Sequence, residues 1–97
     1  MELSPGSIGC RVYLGILLFK GGKLQEAESV LRDAVKLGGE IDEALANLGG
    51  VLLAQQRYEE AGECYRSALE IDHDYIFAKV RLLDVEHTLN FKKRFLR

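Results

Sequence analysis

At 97 residues the chain is the length of one domain, and 47% hydrophobic content with a single proline fits an ordinary packed core without an interior linker. A net charge of −2 gives no global pull toward nucleic acid, and two cysteines far apart without CxxC spacing argue against a disulfide framework and for a reducing compartment, cytoplasmic or nuclear. The charge is nonetheless uneven, since residues 79–97 hold six of the thirteen basic residues but two of the fifteen acidic ones.

In chain order, hydrophobic periodicity predicts five helices and an all-α fold. The first begins near Ser4-Pro5 or Ser7, either of which suits a cap, and ends at Gly21-Gly22. Its apolar run, Val12 to Phe19, is eight residues and too short to span a bilayer. It also fails as a secretory leader, because Glu2 replaces a basic start and no small-residue cleavage site follows Lys23. The second helix is expected from about Leu24 to Leu37, stopping at Gly38-Gly39, glycine being the favoured residue past a helix end. The third runs from about Ile41 to Gln55 and the fourth from about Tyr58 to Ile71. Asp72-His73-Asp74 makes the next joint, with Asp72 or Asp74 capping a fifth helix that starts there and reaches at least Leu89. The segment from Phe91 to Arg97 either continues that helix or frays.

A shift of 34 residues lays the chain on itself: Leu14-Gly15 falls on Leu48-Gly49, Leu18 on Leu52, Glu26-Ala27 on Glu60-Ala61 and Ala34 on Ala68. Positions between match in kind, as Leu17 with Val51, Lys23 with Arg57, Arg32 with Arg66 and Leu37 with Ile71. A fixed period of this size marks a stacked architecture that presents a surface rather than a reaction centre. Gly15 and Gly49 each cost about 1 kcal/mol against alanine inside a helix, so close helix contact must offset them, with Ala27 and Ala61 the expected facing residues. A large side chain at Gly49 would overpack that joint by roughly 1–3 kcal/mol.

The order Leu14, Gly15, Leu18, Ala27, Leu31, Ala34, repeated as Leu48, Gly49, Leu52, Ala61, Tyr65, Ala68, resembles the tetratricopeptide repeat, a pair of antiparallel helices. The resemblance covers Ile8 to Ile71, with residues from Asp74 onward a lone first helix. It departs from the family at Arg11 and Leu45, where an early aromatic is usual, and at Gly39 and His73, where a closing proline is common. It implies a right-handed superhelical stack within one domain, residues 1–97: repeat one at about 8–41, repeat two at about 42–75 and a capping helix at about 76–97. Phe95 stands where a further second helix would place its first alanine.

The resemblance also implies that the first helix of each pair lines a concave side where ligands sit. By register that side holds Val12, Ile16 and Phe19 on helix one, Asn47, Gly50 and Leu53 on helix three, and Phe77, Val80 and Arg81 on helix five. Three readings follow. The apolar residues form a slot for a partner's helix or extended peptide, with Asn47 and Arg81 orienting it and Gly50 leaving room for a guest; they pack on one another in a narrow array; or they mediate self-association. Some co-chaperones of the family clamp the C-terminal carboxylates of heat-shock chaperones through five residues on this side. Asn47 and Arg81 match two of those positions, whereas Val12, Ile16 and Phe77 occupy the other three and cannot bind carboxylate, so that mode is rejected.

Other chemistry is sparse. His73 and His87 lie fourteen apart, and Asp84 with His87 supplies two ligands where a zinc site needs more, so no metal or cofactor is expected. Glu59, Glu60 and Glu63 read as a solvated face. Gly21-Gly22-Lys23 lacks the strand and spacing of a phosphate loop, and no nucleophile has a base near it in sequence, so an enzyme is not expected. Lys92, Lys93, Arg94 and Arg97 interleave with Phe91, Phe95 and Leu96 in a cationic amphipathic tail. Such a tail can rest on an anionic membrane, but a basic helix end that complements its own dipole is the favoured reading. The chain is therefore expected to be a non-catalytic adaptor for a protein or peptide partner or, alternatively, a structural segment of a longer array or a self-associating module.

Overall fold

A computed structural model describes residues 8–37 and 41–95, with side chains described from residue 10. The expected caps at Ser4, Pro5 and Ser7, and the stop at Gly38-Gly39, lie outside these residues. Among the described residues there are five helices and no strand: α1 (Ile8–Lys20), α2 (Leu24–Leu37), α3 (Asp42–Ala54), α4 (Tyr58–Ile71) and α5 (Ile76–Phe95). Each packs on its neighbours in sequence, and α3 additionally touches α1 on one side and α5 on the other. The result is an all-α stack of two helical hairpins, α1–α2 and α3–α4, followed by α5.

The two hairpins turn in the same way. After α1, the Lys23 amide donates to the Leu18 carbonyl and the Gly22 amide to Phe19; after α3, Arg57 donates to Leu52 and Gln56 to Leu53. Both are the glycine-type helix stop, which needs one residue in the left-handed region. That residue is Gly22 at φ 80° in the first hairpin and Gln56 at φ 64° in the second. The glutamine bears a cost that glycine avoids.

The core runs through both hairpins. Ala27, Leu31 and Ala34 of α2, Ala61, Tyr65 and Ala68 of α4, and Ala44, Val51 and Leu52 of α3 are all fully buried. Small residues on α2 and α4 let the helices approach, while Leu31 and Tyr65 reach across. A Cβ on Gly15 would lie 2.6 Å from Leu31 Cγ, and one on Gly49 would lie 2.8 Å from Tyr65 Cε1 and Cζ. The facing residues are therefore Leu31 and Tyr65 rather than Ala27 and Ala61. Helical side chains lean toward the preceding turn, so a long chain one turn further on covers the spot that an alanine cannot reach.

The joint before α5 also differs from expectation. Neither Asp72 nor Asp74 caps the helix; Asp72 Oδ1 accepts the Asp74 amide at 3.1 Å, closing a local turn that delays α5 to Ile76. Beyond Leu89 the helix continues to Phe95, its last turn carrying Lys92, Lys93 and Arg94 against the negative end of the dipole.

Candidate functional site

Adjacent glycines on α3 take the rings of two different helices. Gly49 accepts the Tyr65 ring of α4 directly on its backbone. At Gly50 a Cβ would lie 3.2 Å from Phe19 Cε2 and 3.9 Å from the Tyr65 hydroxyl oxygen, so Phe19 of α1 and the tip of Tyr65 both border this residue. The room expected beside Gly50 for a guest is filled by the chain's own phenylalanine. Tyr65 then meets Phe77 of α5 edge-on, ring centroids 6.5 Å apart at 77°, and Phe77 lies 6.2 Å from the Tyr75 ring. The Arg81 guanidinium stands over the Phe77 ring, 5.4 Å from its centroid. A file of rings thus runs from Tyr65 of α4 to Phe77 of α5, with Phe19 of α1 bordering Gly50 as Tyr65 does, and ends in a positive charge.

Tyr65 begins this file, and sequence reasoning assigned it only to hairpin packing. Its side chain has no exposure, and its hydroxyl makes no hydrogen bond to a described residue. Burial pushes its pKa up to about 12, so it remains a protonated donor at neutral pH. The signal was present in the register: Tyr65 stands one period after Leu31, and only the tyrosine is long enough to pass through to the α1 side of α3.

The other expected residues fall into two groups. Val12 is 7% exposed and belongs to the core, and Ile16, Phe19 and Leu53 are half-buried against it. Asn47 donates its amide to the Glu43 carbonyl at 2.8 Å, one turn back on its own helix. Phe77, Val80 and Arg81 are exposed, and together they form the accessible part of the set. Ile76 and Leu83 extend that apolar strip at i, i+4, i+7 spacing with Val80, at 71% and 57% exposure. Their spacing in the sequence could have identified them.

A polar cluster spans the opposite edge of the hairpins' contact. Glu28 of α2 accepts from Arg57 Nη1 at 2.7 Å, Gln55 Nε2 at 3.1 Å and Arg32 Nε at 2.9 Å. Arg57 also donates through Nε and Nη2 to Glu60, which Arg32 reaches at 3.4 Å. Glu60 is therefore paired rather than merely solvated, whereas Glu59 and Glu63 are exposed. Desolvation opposes ionisation of Glu28, but the hydrogen bonds from Gln55, Arg32 and Arg57 outweigh it and hold the carboxyl below its ordinary range.

His73 and His87 are exposed, and among the described residues no group of three histidine, cysteine or acidic side chains could hold a metal ion. Burial pushes the Cys64 thiol up to about 11, which leaves it a poor nucleophile at neutral pH. On the tail, Phe91 stacks near Phe95 with centroids 4.9 Å apart, and Lys92 Nζ lies 4.6 Å from the Tyr58 ring centroid. No helix among the described residues is long and apolar enough to cross a membrane.

Two hairpins that repeat one glycine-and-alanine joint, with their first helices set side by side, define a helical-repeat stack. The tetratricopeptide repeat model matches residues 14–76, and the chain belongs to that family. It is 36% identical over 72 residues to human tetratricopeptide repeat protein 7A, and 35% identical over 72 residues to the human and mouse tetratricopeptide repeat protein 7B. The match covers 74% of this chain but 8% of each relative, so the chain spans a small fraction of their length. Repeats of this family generally mediate protein–protein interaction.

Proposed function

We propose that the chain is a cytoplasmic, non-catalytic interaction module that receives an apolar helix or extended segment of a partner protein on its inner side. Phe77 and Val80 supply the contact, Ile16, Phe19 and Leu53 line the approach, Val12 and Gly50 lie beneath them, and Arg81 and Asn47 orient the guest. The observation that carries this reading is the exposure of Phe77 and Val80, 43% and 51%, at the open end of the ring file. Aromatic rings and arginine are enriched in protein interfaces, and Phe77 and Arg81 stand together here. Tyr65 adds a buried donor that a carbonyl of the guest can take up if Phe19 swings aside, which gives the face a preference for a backbone that comes close to α3.

The test compares proteins recovered by the native chain with those recovered by Phe77→Lys, Val80→Glu. Both positions are exposed, so helicity should survive, with the melting midpoint a few degrees lower for the ring contact that Phe77 gives up. Loss of specific partners with the fold intact supports the reading; recovery of the same set refutes it. The alternative, a segment of a longer array, is supported by a different surface, the outer side of α1.

A further inference from the structure

α1, α3 and α5 each turn one stripe toward the preceding position in the stack, and the 34-residue register identifies it. In α3, which packs on α1 and α2, the stripe is Ala44, Leu48 and Val51, exposed by 0%, 2% and 0%. In α5 it is Ala78, Leu82 and Val85, of which the alanine and valine are fully buried against the second hairpin and Leu82 is half-buried. The same register positions in α1 are Cys10, Leu14 and Leu17. They are as apolar as their counterparts, yet Leu14 and Leu17 remain 46% and 48% exposed, and Tyr13 beside them 58%.

We infer that this face of α1, centred on Leu14 and Leu17, is a docking surface for one further antiparallel helical hairpin of the same repeat type, seated on α1 as the α1–α2 hairpin sits on α3. The occupant follows from two features. The surface continues an interface that the molecule already makes twice, and in a repeat stack each unit is completed by its neighbour. The polar edge of that interface is also half-provided: Lys23 and Glu26 hold the register positions of Arg57, which pairs with Glu28 of the first hairpin, and of Glu60, which pairs with Arg57 and Arg32. The incoming hairpin accordingly presents a carboxylate to Lys23 at the position of Glu28. The outward side of α5 makes no such offer, since Lys79 and Glu86 stand exposed where α3 has the buried Leu45 and Leu52.

The experiment places a second copy of residues 8–41 in register ahead of Ile8 of the full chain, and does not depend on the inner-side reading. The thermal midpoint should rise by about 5–10 °C over the native chain, and α1 amides of the original copy should exchange at least about tenfold more slowly, approaching α3. Leu17→Lys in the original copy should cancel both gains, while in the native chain it shifts the midpoint by no more than about 3 °C. An extended chain with an unchanged or lower midpoint and unaltered α1 exchange overturns the inference. So do native chains that dimerise through Leu17 while the extended chain gains nothing, an outcome that assigns the face to a second copy instead.

Discussion

At the contact between the two hairpins, Glu28 gathers Arg32, Gln55 and Arg57, and Arg57 continues to Glu60. One period later, at the contact between the second hairpin and α5, the corresponding positions are Arg66, Leu89, Phe91 and Arg94, and Gly62 replaces the glutamate itself. Val85 Cγ1 approaches to 3.4 Å of where a Gly62 Cβ would be, Leu89 packs on the core, and Lys92 settles on the Tyr58 ring. The same helix geometry is thus held once by an ion-pair cluster at the edge and once by close apolar approach. The common element lies inside each hairpin: a glycine on its first helix and a large side chain from its second. The edge chemistry is free to change because the small residues fix the spacing.

The strongest test of that common element truncates the large side chain. Tyr65→Ala should lower stability by about 3–5 kcal/mol, and Leu31→Ala by about 2–4 kcal/mol, in equilibrium urea unfolding. Tyr65 should be the costlier of the two, because its ring supports both Gly49 and, through Phe77, the start of α5. Equal losses would mean that the two hairpins are interchangeable and that the ring file adds nothing. Tyr65→Phe separates shape from polarity: a ring with no hydroxyl leaves no unpartnered donor buried, so stability should hold or rise by up to about 1 kcal/mol.

Adding a methyl to each glycine sharpens the same comparison. Gly49→Ala should cost about 2–3 kcal/mol, since a rigid ring in an enclosed site blocks the new Cβ. Gly15→Ala should cost about 1 kcal/mol, because Leu31 can change rotamer and alanine's better helix propensity offsets part of the strain. Matching losses in thermal unfolding would show that the outer hairpin is packed as tightly as the inner one.

What the sequence disclosed and what it withheld divide along physical lines. The bounds of α2 and α4, and α3 to within a residue of each end, were legible because period, glycine stops and apolar spacing act locally. The need for tight contact at Gly15 and Gly49 was legible too, yet its partners were misassigned, since register gives a face and not the reach of a side chain along it. The joining of the Glu28 cluster across the hairpins was invisible: Glu28 lies 27 and 29 residues from Gln55 and Arg57 and is Gly62 one period on, so only the local Glu28–Arg32 and Arg57–Glu60 spacings mark it. The exposure of Phe77, Val80 and Arg81 on α5 agrees with the face that register assigns them. The filling of the Gly50 position by Phe19 depends on a ring rotamer, which no spacing encodes.

The turns offer a smaller contrast. Gly22 and Gln56 occupy one joint in the two hairpins, at φ 80° and 64°. Gly22→Ala should cost about 1 kcal/mol, and Gln56→Gly should gain roughly 0.5 kcal/mol, the relief of the left-handed side chain being partly offset by the freer unfolded chain. If Gln56→Gly is destabilising instead, its side chain contributes a contact that outweighs the backbone cost.

The smallest expected effect concerns acid. Glu60 is held below its ordinary value of 4.5 chiefly by its hydrogen bond from Arg57, and Glu28 lies below it as well. A folded carboxyl with a depressed pKa binds fewer protons than the unfolded one, so its contribution is complete above the unfolded value and fades as pH falls through the lower folded value. The cluster should therefore weaken as pH falls below the ordinary carboxyl value of 4.5, while the apolar contact at Gly62 and Val85 has no carboxylate to lose. Stability followed by urea midpoint across this range should fall less steeply for Glu28→Gln than for the native chain. Amide exchange, corrected for its intrinsic pH dependence, should show α1 and α2 loosening before α4 and α5 as pH drops. If the two ends loosen together, the edge cluster is ornamental and the buried glycine contacts alone hold both joints; if the glutamine variant keeps the native slope, the exposed ion pairs are screened to insignificance, as many are.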